Sequence, residues 1–387
     1  IGENHQKFLP FEVMLLGMKK MIIPVAEPNL GREELNNVVK AVKSGWVSSG
    51  EYILKFEKEF AKYIGVKYAA AVSNGTTGLH LALLASGIKK GDEIIVPDLT
   101  YVATANAAAY IGAKPVMVDV EPDYWCIKPE AILKAITKKT KAIIPVHLYG
   151  NAAEMKEILK IAKKHRLLII EDAAEAHGAV YYGKRAGNLG NAGVFSFFGN
   201  KIITAGEGGM ITTNDKKIYE RVKLLRNQAQ DPKNKYWHPE IGFNYRITNL
   251  QAAVGCAQIK KLNSFIDKKR QIFQWYKKYL KDLKDITLNS ERENTKSVYW
   301  MISIVLGNGV SRKISRDTLR NLLEKDGIET RPFFSPLSKL PMYRKERHLS
   351  NLTAYNLSKN GLNLPSSTTL TESNVKFVCQ ALKKHLL

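Results

Sequence analysis

The sequence predicts an α/β protein in which a mostly parallel sheet, covered by helices on both faces, precedes a smaller α+β unit. Three observations carry this expectation. From Tyr68 onward, short β-rich apolar runs alternate with stretches of helical periodicity. Those runs are apolar throughout, not at every second position, as in strands buried on both faces. After about Thr248 the alternation stops and one long helical stretch takes over.

Strands are expected at residues 68–72, 93–96, 115–118, 142–146, 167–171, 193–197 and 209–213. Helices are expected between them near residues 77–86, 103–110, 129–137 and 153–165. The second unit reads as a helix over residues 249–280, a strand near 298–305 and helices near 316–325 and 372–384. A chain of 387 residues is long enough for a large domain, expected over residues 21–248, and a smaller one over 249–387. Residues 1–20 read as an extension or tag-like segment. Glu12 interrupts their apolar residues and no basic stretch precedes them, unlike a signal peptide.

Composition narrows the function classes. Apolar residues make up 45%, ordinary for a globular enzyme. The net charge is +23, but the basic residues fall as separated pairs such as Lys89-Lys90, Lys163-Lys164 and Lys277-Lys278. A nucleic-acid partner calls for a concentrated patch, so none is expected. A solvated basic surface that attracts anionic substrates is the better reading. No apolar run approaches the roughly 20 residues that span a bilayer, so no membrane partner is expected. The cysteines, Cys126, Cys256 and Cys379, form no CxxC or Cys/His cluster. That argues against a disulfide framework or a metal site and fits a reducing, cytoplasmic setting.

The chemistry concentrates around Phe195-Ser-Phe-Phe-Gly-Asn-Lys201, which runs on into a glycine-rich turn ending at Gly209. A lysine in half-apolar surroundings is desolvated, which lowers its pKa and makes its amine nucleophilic toward carbonyls. Pyridoxal 5′-phosphate is the aldehyde cofactor that most often uses such an amine. Five further places fit that cofactor, most with an ordinary alternative. Ser73-Asn-Gly-Thr-Thr77, with Gly75 and Thr76, opens a helix and suits a phosphate, or is merely an N-cap. Asp172, at a strand end, could keep a pyridine nitrogen protonated, cap a helix or bind a metal. Glu175 could reach the same ring's hydroxyl edge or complete a capping box. Tyr101 could stack on the ring or only pack, and Ser196 could add a hydroxyl to the phosphate cup. All are expected at the carboxyl ends of strands in one sheet, where catalytic groups of such sheets collect. Their coincidence favours the cofactor over the separate alternatives, and no GxGxxG motif supports a dinucleotide instead.

Several stretches resemble the nucleotide-sugar aminotransferase (DegT/StrS) family of fold-type-I pyridoxal-phosphate enzymes. They are Gly45–Gly50, Ser73–His80, Pro145–Gly150, Glu171–Gly178, Phe195–Gly209 and Gly242–Ala253, and the likeness runs from about Ile23 to the C-terminus. The resemblance implies that Lys201 forms the Schiff base and then moves protons, with pyridoxamine 5′-phosphate between the two half-reactions. It also implies Asp172 on the pyridine nitrogen, Glu175 near the phenolic oxygen (many relatives carry glutamine there), and Gly75, Thr76 and Ser196 on the phosphate. The family builds its sites across a homodimer interface, which implies that Asn244 or Arg246 reaches the neighbouring subunit's cofactor. Trp46 and Ser48, His147, Tyr149 and Arg331 are the expected substrate contacts, with strand-end packing the alternative for His147 and Tyr149. Arg331 offers a planar fork to a diphosphate or to glutamate carboxylates, or is a surface arginine before a turn. The stretches Trp46–Ser49, Phe195–Lys201, Tyr236–His238 and Thr330–Phe334 are similar to members that aminate C4 of a nucleotide-linked 4-keto-6-deoxyhexose with L-glutamate. A GDP-linked sugar would give perosamine, UDP- or dTDP-linked sugars viosamine-like products, and amination at C3 is the neighbouring alternative.

Overall fold

The computed structural model describes residues 22–387; the extension expected at residues 1–20 lies outside the described residues. Two amphipathic helices that the sequence reading did not anticipate, α1 (Arg32–Lys43) and α2 (Glu51–Ile64), precede the first strand.

The principal sheet uses β1 (Tyr68–Val72), β2 (Glu93–Pro97), β3 (Lys114–Val118), β4 (Thr140–Ile143), β5 (Leu168–Asp172), β8 (Ala192–Ser196) and β9 (Gly209–Thr213). The short strands β6 (Val180–Tyr181) and β7 (Lys184–Arg185) belong to a separate three-stranded sheet. Strand order in the principal sheet is β1-β9-β8-β5-β4-β2-β3. Pairing is parallel from β8 through β5, β4 and β2 to β3, and β9 runs antiparallel to both of its neighbours. The connecting helices are α3 (Gly75–Ala85), α4 (Ala103–Tyr110), α5 (Pro129–Ala135), α6 (Met155–His165) and α7 (Lys216–Leu225). Two hydrophobic clusters flank the sheet, because successive strand residues point to opposite faces. Ile169 belongs to one cluster and Ile170 to the other.

Helix α3 starts at Gly75, two residues before the expected start, because Asn74 caps it. The Asn74 Oδ1 atom accepts from the Thr77 N–H at 2.9 Å, and Thr77 Oγ1 accepts from the Asn74 N–H at 3.2 Å. The long helix α8 (Asn249–Leu280) is capped in the same reciprocal way by Thr248 and Gln251. Its buried face then carries Cys256, Ile259, Leu262, Ile266, Lys269, Phe273, Tyr276 and Leu280, three or four residues apart.

Beyond α8, β10 (Ile286–Leu288), β12 (Ile302–Leu306), β13 (Arg331–Pro332) and β14 (Gly361–Leu364) form a four-stranded sheet, while β11 (Thr295–Lys296) pairs with β6. The helices here are α9 (Asn308–Lys313), α10 (Arg316–Lys325), α11 (Leu352–Asn360) and α12 (Glu372–Leu386). The strand expected from residue 298 begins only at Ile302. Tyr299 sits at φ 44°, a left-handed conformation that ends extended pairing, and the Val298 N–H donates to Gly150 O at 3.0 Å. This break turns Trp300 toward the edge of the principal sheet.

Candidate active site

At the carboxyl ends of β1, β2, β5 and β8 lies a cavity of about 340 Å³. Its walls include Gly75, Thr76, Tyr101, Asp172, Glu175, Ser196 and Lys201, which the sequence singled out, together with Asn200, Glu207, Trp300 and Phe334, which it did not.

Lys201 stands in the loop between β8 and β9. The loop is tied by Phe197 N–H to Gly208 O, Ala205 N–H to Phe197 O and Lys201 N–H to Phe198 O. The lysine side chain is only 12% exposed, and its Nζ lies 3.8 Å from Glu175 Oε1. Nζ also sits 4.1 Å from the ring centroid of Trp300, over its face. Burial pulls the Lys201 amine below its ordinary pKa, against the opposing pull of Glu175 and Asp172. The same burial pushes Glu175 up to about 7, although Lys201 and the Tyr149 N–H favour its charge.

Glu171 and Asp172 show how β5 divides its labour. Glu171 is fully buried; its Oε1 accepts from the Leu189 and Gly190 N–H groups and its Oε2 from the Gly187 N–H, each at 2.7 Å. Asp172 points the other way, into the cavity. Its Oδ2 accepts from the Thr104 hydroxyl at 2.8 Å and its Oδ1 from the Ala174 N–H at 3.2 Å. Burial raises the Asp172 pKa against those two hydrogen bonds.

Helix α3 presents its first turn to the cavity. The N–H groups of Gly75 and Thr76 have no partner among the described residues, as the opening of a helix requires. A Cβ on Gly75 would stand 3.0 Å from Ser196 Cβ, so glycine lets the helix start press against that strand end. A buried carboxylate, a desolvated amine and a small-residue cradle at a helix start are the donor set that pyridoxal 5′-phosphate requires. The Asn200 Oδ1 is a buried acceptor without a partner among the described residues, and it lines the same space. The residues present fit the cofactor.

The remaining expected residues are placed differently. His147 is fully buried and not at the cavity. Its Nε2 faces Glu171 at 2.9 Å and its Nδ1 accepts from the Ala153 N–H at 3.1 Å. Both ring nitrogens are therefore occupied and none is left for a substrate. Tyr149 is also buried, at φ 51°, and its N–H donates to Glu175 Oε2 at 2.8 Å, so its contribution runs through the carboxylate. Arg331 is half-buried in β13, 3.4 Å from Glu329. Trp46 and Ser48 occupy an exposed turn before α2. Asn249 pins that turn by donating to Trp46 O at 2.6 Å, and Leu250 N–H donates to Val47 O. Asn244 and Arg246 are exposed and bonded to each other at 2.8 Å. None of these last five lines the chain's own cavity.

Trp300 had no sequence signal beyond lying in an expected strand. Its indole N–H donates to Asn200 O at 2.8 Å, and its ring stacks loosely on Tyr149 with centroids 6.3 Å apart. Asn200 could have been flagged by its position beside Lys201.

The model of the DegT/DnrJ/EryC1/StrS aminotransferase family matches residues 28–383. A GDP-perosamine synthase of Caulobacter vibrioides is 46% identical over 94% of this chain and 98% of its own length. One from Vibrio cholerae is 42% identical over 94% of this chain and 99% of its own. The solved structure of Helicobacter pylori PseC, an aminotransferase involved in the biosynthesis of pseudoaminic acid, superposes with a TM-score of 0.89 at 28% identity. That match covers 94% of this chain and 99% of the other.

Proposed function

The chain belongs to this family of aminotransferases and uses pyridoxal 5′-phosphate, and on that premise we propose that it moves the amino group of L-glutamate to C4 of GDP-4-keto-6-deoxymannose, giving GDP-perosamine. The observation that carries the reaction class is the meeting of Lys201, Glu175 and Asp172 in one cavity with the start of α3. Support for the sugar comes from the near full-length likeness to proteins named for that product.

When bound, the cofactor supplies an aldehyde for the amino group and a ring that accepts the electron pair left when a carbon loses its proton. The chain's residues have separate duties. The N–H groups of Gly75 and Thr76 and the Ser196 hydroxyl hold the phosphate, where the helix start favours negative charge. Asp172 keeps the ring nitrogen protonated, fixed in orientation by Thr104 and Ala174. Glu175 would hold the phenolic edge of the ring and Tyr101 would cover a ring face. The Lys201 amine, made less basic by burial, takes a proton from glutamate Cα and later returns one to C4 of the sugar. Trp300 and Phe334 keep water from that amine.

Trp46, Ser48 and either Asn244 or Arg246 reach the cavity of a second copy in a homodimer; their exposure and their absence from the lining of the chain's own cavity support this reading. Arg331, beside the cavity, pairs with the diphosphate or a glutamate carboxylate. The break between the two units of the chain falls near residue 248, where α8 begins. No described helix is long and apolar enough to cross a membrane.

Incubating the enzyme with L-glutamate and a panel of GDP-, UDP- and dTDP-linked 4-keto-6-deoxysugars, read by mass spectrometry, tests the proposal. A product only from the GDP sugar, with nitrogen at C4 by NMR, is expected. Turnover confined to a UDP or dTDP sugar, or amination at C3, overturns it.

A further inference from the structure

Lys269 lies in the middle of α8, away from the cavity, and is only 4% exposed. Its Nζ donates to two main-chain carbonyls, Trp300 O at 2.9 Å and Ser366 O at 2.6 Å. It forms no ion pair among the described residues, and burial pulls its amine down to about 7. Burying an ammonium without a counter-charge is costly, and a methionine would fill the same space without that cost. What methionine lacks is a donor. Lys269 supplies one to each of two carbonyls just where regular pairing stops.

We infer that Lys269 is a positioning residue for the reaction: by clamping the main chain at Trp300 to that at Ser366, it holds the Trp300 indole over the Lys201 amine. The clamp has a clear anatomy. Ser366 is anchored in its own right, with its N–H donating to Val25 O at 2.8 Å and its hydroxyl accepting from the Ile302 N–H at 2.8 Å. Trp300 stands two residues before β12 and one after the left-handed Tyr299, so strand pairing does not hold it. Helix α8 does so instead with three side chains, Phe273 lying one turn on from both Lys269 and Arg270. Arg270 donates to Ser297 O at 2.7 Å, Phe273 stacks on Tyr299 with centroids 3.9 Å apart, and Lys269 takes Trp300 O. At its other end the indole donates to Asn200 O, next to Lys201 in the chain. A path of direct contacts thus runs from Lys269 through Trp300 to the reacting amine.

The inference rests on Lys201 being the reactive amine, not on which sugar is used, and its test reads that amine without substrate or cofactor. Lys201 in the apoprotein is labelled with an acylating reagent across a pH series, and peptide mass spectrometry gives the pH of half-reaction. This is done for the wild type, Lys269→Met, Trp300→Phe and the double variant, beside melting temperature and the kcat and KM of the loaded enzyme. Lys269→Met is expected to move the half-reaction pH by at least about 0.5 in the same sense as Trp300→Phe. It should lower kcat about tenfold with KM for glutamate little changed, and should add nothing to either effect in the Trp300→Phe background. A lower melting temperature with unaltered Lys201 labelling and kcat overturns the inference, and so does an effect that adds to that of Trp300→Phe. Should Lys269→Met fail to fold, Lys269→Leu, which likewise lacks a donor, is judged by the same criteria. If labelling shows Lys201 no more reactive than surface lysines in the wild type, the functional reading fails and not merely the clamp.

Discussion

The Lys201 amine and the Glu175 carboxylate face each other at 3.8 Å in a site that excludes most water. Burial discourages the charged form of both, and each partly restores the charge of the other. A lysine and a glutamate so placed can pass a proton between them, which suits an amine that must both take and return one. Tyr149 fixes this pair from behind through its N–H, at the left-handed turn that follows β4.

Glu175 should make the stability of the apoprotein depend on pH. Its carboxyl titrates near 7 in the folded chain, above its ordinary value of 4.5, so the folded form holds the proton more tightly than the unfolded one. The stabilising contribution is therefore complete below about 4.5 and is lost as pH rises through about 7. Glu175→Gln removes the titration. Urea melts should show the variant gaining on the wild type, by on the order of 1–3 kcal/mol, between pH 5 and pH 8. A constant difference across that range would contradict the assignment.

Asp172→Asn retains the shape of the side chain and a partner for Thr104 but removes the charge. Turnover should fall at least about 10²-fold, with the melting temperature of the apoprotein unchanged or raised, since a buried carboxylate is costly to keep. Steady-state kinetics and calorimetry on the same preparation check both halves. Near wild-type turnover would place the ring nitrogen elsewhere.

Gly75→Ala separates binding from folding. Alanine favours the first turn of α3, but its Cβ would stand 3.0 Å from Ser196 Cβ and push the strand end and helix apart. The expected result is a melting temperature little changed without cofactor, the helix gain offsetting the tight contact, and a cofactor Kd weakened about tenfold or more. Fluorescence titration of the apoprotein measures it. Unchanged Kd would remove the phosphate from this turn.

Arg246→Ala probes the second copy. Arg246 is exposed and spends its hydrogen bonds on Asn244 and Asn227, so its loss should cost little stability in one chain. If it reaches a partner's cavity, the cofactor Kd should weaken or the dimer should dissociate on light scattering. A stable dimer with normal cofactor affinity would contradict that role.

Much of this was written locally in the chain. Continuous apolar runs mark the strands of the principal sheet, because strands buried on both faces have no polar side to show. Lys201, Asp172, Glu175, Gly75, Thr76, Ser196 and Tyr101 lie at or just beyond strand ends, and the sheet gathers those ends at one edge. What escaped notice depends on distant parts of the chain. Trp300 reaches the cavity only because Tyr299 breaks the expected strand and α8 holds the segment there. His147 looked available for the same reason that Asp172 did, its place at a strand end. The neighbouring Glu171 turns inward and takes its ring, a consequence of side-chain alternation that local pattern alone did not resolve.

The central claim is that Lys201 is the amine that joins the cofactor. Borohydride reduction of the loaded protein, followed by peptide mapping, tests it most directly. The account predicts one modified peptide, spanning Phe195 to Gly209 with the label on Lys201, and neither label nor turnover in Lys201→Ala. A label on another lysine, or an unlabelled protein that still turns over, would contradict it.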